Sequence, residues 1–178
     1  DLYKNGYAPP TAPMDGFNEI IANFKSGKTA MTIHHIGSSI GMVETFGDDV
    51  DAFAFPGGVG RWTSMGDTEN VILKSSKNKD AAFEWVAYLA TGKGQEAWCT
   101  ATGNVPVSKD VQQLPFFQNN RFMKVSIEGA PYAGIFPILD TTTEWINTIW
   151  PNTVAAALTS KISAAEAMKT LQKGLWGK

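Results

Sequence analysis

The stretch DGFNEIIANFKSGKTAMTIHHIGSSIGMVETFGDDVDAFAF, residues 15–55, decides the fold class. Asp15 stands where a helix cap belongs. Phe17, Ile20, Ile21 and Phe24 follow at i, i+3, i+4 and i+7, which is one apolar helix face. Lys25 in the last turn and Gly27 just beyond it are stop signals. Residues 29–36 then read as a strand, with Met31 and Ile33 on one face. Gly37, Ser38 and Ser39 break it, and either serine can cap a short helix over 40–46. Gly47, Asp48 and Asp49 turn the chain into a second strand over 50–55, closed by Pro56-Gly57-Gly58. Helix, strand, helix, strand in this order makes the class α/β.

On the N-terminal side, Gly6 and the prolines at 9, 10 and 13 form an entry loop. On the C-terminal side, a glycine-rich loop over 56–68 leads to a short strand at 71–73. Residues 80–91 form a helix with Phe83, Val86, Ala87 and Ala90 on one face, ended by Gly92. A shorter helix over 93–102 carries Trp98 and Cys99, and Gly103-Asn104-Val105-Pro106 turns the chain. Ser108 can cap a helix from Lys109, and 115–124 continues as helix. Gly129, Pro131, Gly134 and Pro137 mark 129–140 as a loop. Thr141 with Glu144, and Ser163 with Glu166, have capping-box spacing. The first box opens a helix with Trp145, Ile146, Ile149 and Trp150, kinked at Pro151. The second opens a last helix that buries Ala167, Met168 and Leu171.

Composition narrows the function. The 178 residues are 43% hydrophobic and only 18% charged, with a net charge of −2, so a core can form and no basic stripe exists for nucleic acid. No apolar run reaches the roughly 18 residues of a membrane span. Cys99 is the single cysteine, which excludes an internal disulfide framework and a multi-cysteine zinc site. Six tryptophans, four tyrosines and ten phenylalanines are many for so few charges. They serve either a tryptophan-heavy core or a surface for large neutral ligands, on which aromatic faces stack while amides and hydroxyls bond ligand edges. The first residue is Asp1, so either a leader has been removed or the chain is a piece of something longer.

Catalytic signatures are missing. His34 and His35 are the only histidines, and on a strand their rings point to opposite faces, away from a shared metal. No H-E-x-x-H or G-x-S-x-G string occurs. Pro56-Gly57-Gly58-Val59-Gly60 lacks the Lys and Ser or Thr of a phosphate loop, and Thr91-Gly92-Lys93-Gly94 follows a helix instead of opening one. Arg61 and Arg121 are the only guanidinium groups, which disfavours a strongly anionic ligand.

Several strings coincide in order: FKSGKTAM at 24–31, VDAFAFPGG at 50–58, Gly66-Asp67, SSKNKDAAFEW at 75–85, GNVPV at 103–107, then a Trp-bearing helix and SAAEAM at 163–168. Together they resemble, over essentially the whole chain, the C-terminal half of extracellular sugar-binding proteins of ABC importers, the maltose-binding-protein-like group. The resemblance implies an α/β fold of the periplasmic-binding-protein type II. That fold would be incomplete: mainly the C-terminal lobe, plus a helical segment of the N-terminal lobe. Residues 1–66 would belong to the C-terminal lobe, 67–112 would hold the hinge crossing and the helical part of the N-terminal lobe, and 113–178 would return. The implied function is the receptor component of an importer. It captures a neutral mono- or oligosaccharide in an interlobe cleft by stacking and hydrogen bonds, and delivers it to the membrane permease. The implied location is periplasmic or extracellular, tethered to the membrane surface, with no cofactor and no metal. Partners are the sugar, the permease subunits, and either a missing N-terminal half or a second copy.

The same resemblance implies the site. The turn of His35, Gly37 and Ser38 occupies a position where many members carry an aromatic ligand contact. Gly37 departs from that pattern, leaving His35 and Ser38 as hydrogen-bonding groups; the alternative is one core-facing and one exposed histidine ring. Gly66, Asp67 and Thr68 precede the crossing strand, with Asp67 either a hydroxyl acceptor or a loop carboxylate. Trp62 either flanks the cleft or packs under its glycine loop. Trp145, Asn147 and Trp150 fall where the family contributes a stack. At about 100° per residue, tryptophans five apart diverge, one toward the cleft and one into the core. Trp85, Trp98 and Trp176 read as structural. The rival functions are a glycan-active enzyme fragment, for which Asp67 with Glu44 or Glu144 would be the carboxylate pair, and a protein-interaction module.

Overall fold

The computed structural model describes residues 2–57, 60–66 and 69–177. Packing divides the chain into two compact units, Asp1–Ile33 with Phe136–Lys178, and His34–Ile135.

In the first unit, α1 spans Phe17–Lys25. Its cap is Gly16, whose N–H donates to Glu19 Oε2 at 3.1 Å. Asp15, expected at the cap, instead accepts from Asn23 Nδ2 at 2.8 Å and from Thr11 Oγ1 at 3.1 Å. A later helical run joins α8 (Thr142–Glu144), a widened π turn (Trp145–Ile149) and α9 (Trp150–Leu158). The turn closes where the Trp150 N–H reaches back five residues to the Trp145 carbonyl. Pro151 explains it. Proline lacks an N–H and its ring crowds the carbonyl four residues back, so the helix relieves the clash just before the ring by widening. The kink expected at Pro151 therefore takes the form of a π turn.

The last helix, α10 (Ala164–Trp176), opens with the expected box: Ser163 Oγ accepts the Glu166 N–H at 3.2 Å and Glu166 Oε2 accepts the Ser163 N–H at 2.8 Å. The box expected at Thr141 and Glu144 does not form. Thr141 Oγ1 donates instead to the Leu175 carbonyl at 2.7 Å, tying the end of α10 to the start of α8. Among the described residues of this unit, Leu171 and Ala167 on α10 are buried with Trp145 and Thr153, while Met168, expected to join them, is exposed.

The second unit begins with a tight turn at Ile36–Ser38 and α2 (Ser39–Phe46). It continues through β1 (Thr63–Ser64), α3 (Lys79–Ala90), α4 (Gly92–Thr102), α5 (Lys109–Gln112), α6 (Pro115–Asn119), α7 (Arg121–Gly129) and β2 (Ala133–Gly134). Its core gathers Cys99 of α4, Val111 of α5, Phe117 of α6 and Met123 of α7, with Leu114 packed against them. Burial pushes the Cys99 thiol pKa up, so it stays protonated and inert at neutral pH. Gln95 joins two segments: its Nε2 donates to the Ala90 carbonyl at 2.8 Å, and its Oε1 accepts the Ser108 N–H at 2.9 Å. The single helix expected over 115–124 is cut at Asn120, whose Oδ1 accepts the N–H groups of Phe122 and Met123 at 3.1 Å each and so starts α7 afresh.

The strands expected at 29–36, 50–55 and 71–73 form no ladder among the described residues. The ladder present there is parallel, β1 with β2, pairing Thr63 with Ala133 and Ser64 with Gly134. A strand exists only where a neighbour supplies the opposite backbone groups. Met31 and Ile33, Phe53 and Phe55, and Val71 and Leu73 are apolar pairs two residues apart, and all six side chains are exposed.

Candidate binding surfaces

Each unit carries part of the expected site. In the second, the turn after residue 33 draws His34, His35, Gly37 and Ser38 together. Gly37 N–H donates to His35 Nδ1 at 3.0 Å, and Ser38 Oγ lies 2.8 Å from His34 Nδ1 and 3.4 Å from His35 Nε2. The two imidazoles are 5.0 Å apart and inclined at 41°. The expectation of opposite-facing rings assumed a strand. The residues instead enter a tight turn, which folds both rings onto one serine. The structure also shows why glycine stands at 37. A side chain there would begin 2.9 Å from the His35 ring and 3.1 Å from the Thr102 carbonyl. A side chain at that position would require the His35 ring to shift. Among the described residues, no group of three or more histidine, cysteine, aspartate and glutamate side chains could hold a metal ion.

Trp62 immediately precedes β1 and is 61% exposed. The Nε1–Cε2 edge of its indole lies against Gly134 of β2. Gly66 follows β1 with open space at its Cα, while Asp67 and Thr68 lie outside the described residues. One neighbour was not singled out in the sequence: Tyr132, half-exposed, whose ring centre lies 5.6 Å from the guanidinium carbon of Arg61. An aromatic residue inside the Gly/Pro-rich 129–140 loop was the available signal. Arg121 is occupied elsewhere, donating to the Gly47 carbonyl at 2.8 Å and to Asp48 Oδ1 at 3.2 Å.

In the first unit, the π turn brings Trp145 and Trp150 together. In a regular helix five residues leave side chains about 140° apart; here the ring centres are 5.1 Å apart at 50°. The two indoles stay in contact, although they differ in burial as one core-facing and one open ring. Trp145 is buried, its Nε1 donating to the Leu171 carbonyl at 2.7 Å, with Phe136 at 6.0 Å. Trp150 rests against it and is 47% exposed, and Asn147 on the same turn is exposed. Trp85, Trp98 and Trp176, expected to be structural, are all exposed.

The described residues thus offer partly open indoles, Trp62 and Trp150, of the kind a binding surface uses. The profile of the bacterial extracellular solute-binding protein family matches residues 1–125, and the chain belongs to that family. No curated protein matches it. Its fold is similar to that of the maltose-maltodextrin binding protein of the thermoacidophilic bacterium Alicyclobacillus acidocaldarius, at a TM-score of 0.74 and 16% identity. That likeness covers 98% of this chain and 47% of the other, so the chain spans about half the length of its structural relative. The fold is thus the incomplete type II periplasmic-binding fold that the sequence resemblance implies. The family is one of binding proteins, not enzymes, and the glycan-active alternative goes no further. The family is also by description extracellular, and no helix among the described residues is long and apolar enough to cross a membrane.

Proposed function

We propose that the chain is part of the carbohydrate receptor of an ABC importer, which captures a neutral mono- or oligosaccharide and passes it to permease subunits at the membrane surface. Trp150 carries this reading. Its ring is backed by Trp145, which is itself anchored to Leu171, so the indole is held in place with nearly half its surface open. A fixed aromatic face is what a pyranose ring stacks on without an ordering cost. Membership of a solute-binding family and a fold shared with a maltodextrin binder support it. Trp62, Asn147, His35, Ser38 and the loop of Gly66, Asp67 and Thr68 are the remaining contacts we assign, and lobe closure on the sugar excludes water. In the whole receptor, 1–66 and 113–178 form the C-terminal lobe and 67–112 cross into the N-terminal one.

The exposed apolar pairs at 31 and 33, 53 and 55, and 71 and 73 support a further part of the reading: another half of the receptor, or a second copy, covers them.

The test is tryptophan emission of the protein as its gene encodes it, titrated with maltose, maltotriose, cellobiose and lactose. Saturable change with at least one sugar, reduced in Trp150→Ala, is expected. Emission that no sugar alters contradicts the reading.

A further inference from the structure

We propose that Gly134 is a positioning residue for the Trp62 indole: the absence of a side chain on β2 sets where that ring stands as a ligand platform. This rests on the saccharide-receptor reading above. The geometry is specific. A Cβ added at Gly134 would lie 2.6 Å from Trp62 Nε1, 3.3 Å from Cε2 and 3.6 Å from Cζ2. No other atom comes as near to it, so the vacant space at this glycine is filled by one edge of one indole.

Which partner yields to a methyl group is also decided by the structure. Gly134 is held in the parallel ladder opposite Ser64, and its carbonyl accepts the Met65 N–H at 2.9 Å. Its φ is not in the left-handed region, so alanine meets no backbone strain there. Trp62 sits just outside the ladder with 61% of its surface open, and the crowded atoms are at the far end of its side chain. The strand therefore stays and the indole swings away. Gly134→Ala becomes a change that leaves the fold intact and moves one aromatic ring. Tyr132, two residues before Gly134, has the Arg61 guanidinium over one face at 5.6 Å, which competes with a ligand for that ring.

The experiment uses the gene-encoded protein labelled with 5-fluorotryptophan, the Trp62 resonance being assigned by its loss in Trp62→Phe. In the absence of sugar, Gly134→Ala is expected to shift the Trp62 resonance and leave those of Trp145 and Trp150 and the thermal midpoint in place. Titration with maltose, maltotriose, cellobiose and lactose is expected to move the Trp62 resonance in the wild type. The alanine variant should bind about three- to tenfold more weakly, the share of one aromatic stack. In a Trp62→Ala background the same substitution should add no further loss. A Trp62 resonance that ignores Gly134→Ala overturns the positioning role, whatever the sugars do. Sugars that move Trp150 but never Trp62 overturn Trp62 as a platform while the receptor reading stands. If no sugar moves any resonance, the receptor reading fails and takes this inference with it.

Discussion

At the scale of single residues, the most consequential bond is the one from Trp145 Nε1 to the Leu171 carbonyl, buried at 2.7 Å. It fixes the ring that backs Trp150. Trp145→Phe keeps an aromatic but removes the donor, and should cost about 1–3 kcal/mol in denaturant unfolding. Loss of the Trp150 environment should show at the same time as a red-shifted emission. Glu166 offers a pH test. The Ser163 backbone N–H, and secondarily its hydroxyl, hold the Glu166 carboxyl below the ordinary carboxylate range. A depressed folded pKa contributes stability above the unfolded value and loses it as pH falls through the folded one. Protection of the Ser163 amide against hydrogen exchange, taken relative to the intrinsic rate at each pH, should therefore fall on acidification through that window. In Glu166→Gln the dependence should vanish.

At the scale of elements, what was legible in the sequence was local. Gly92, the Ser163–Glu166 box and the i, i+4 faces place α1, α3, α4 and α10 to within a residue or two, because caps and periodicity are read within one turn. The strands were not legible as ladders. Residues 29–36 and 50–55 have the alternation of a strand, but pairing depends on distant backbone, and among the described residues the chain supplies it for β1 and β2 alone. The site was legible by residue type and not by geometry. The nearness of Trp145 and Trp150 follows from the π turn before Pro151, and the meeting of His34 and His35 on Ser38 follows from a turn that replaced an expected strand. Asn120 shows how one residue divides an apparent helix. Asn120→Ala, which leaves the Phe122 and Met123 N–H groups without their acceptor, should destabilise the second unit by about 1–2 kcal/mol in urea unfolding.

At the scale of the whole molecule, the exposed apolar residues govern association. A chain that keeps Phe53, Phe55, Val71 and Leu73 in water should not stay alone. Sedimentation velocity on these 178 residues is expected to show self-association that rises with concentration; a monodisperse monomer with one cooperative unfolding transition would contradict this. Capture of an uncharged sugar is best tested by isothermal calorimetry on the gene-encoded protein. Saturable heat with a neutral saccharide such as maltotriose, and none with glucose 6-phosphate, is expected. Heat with the phosphate ester alone, or with neither, would contradict it.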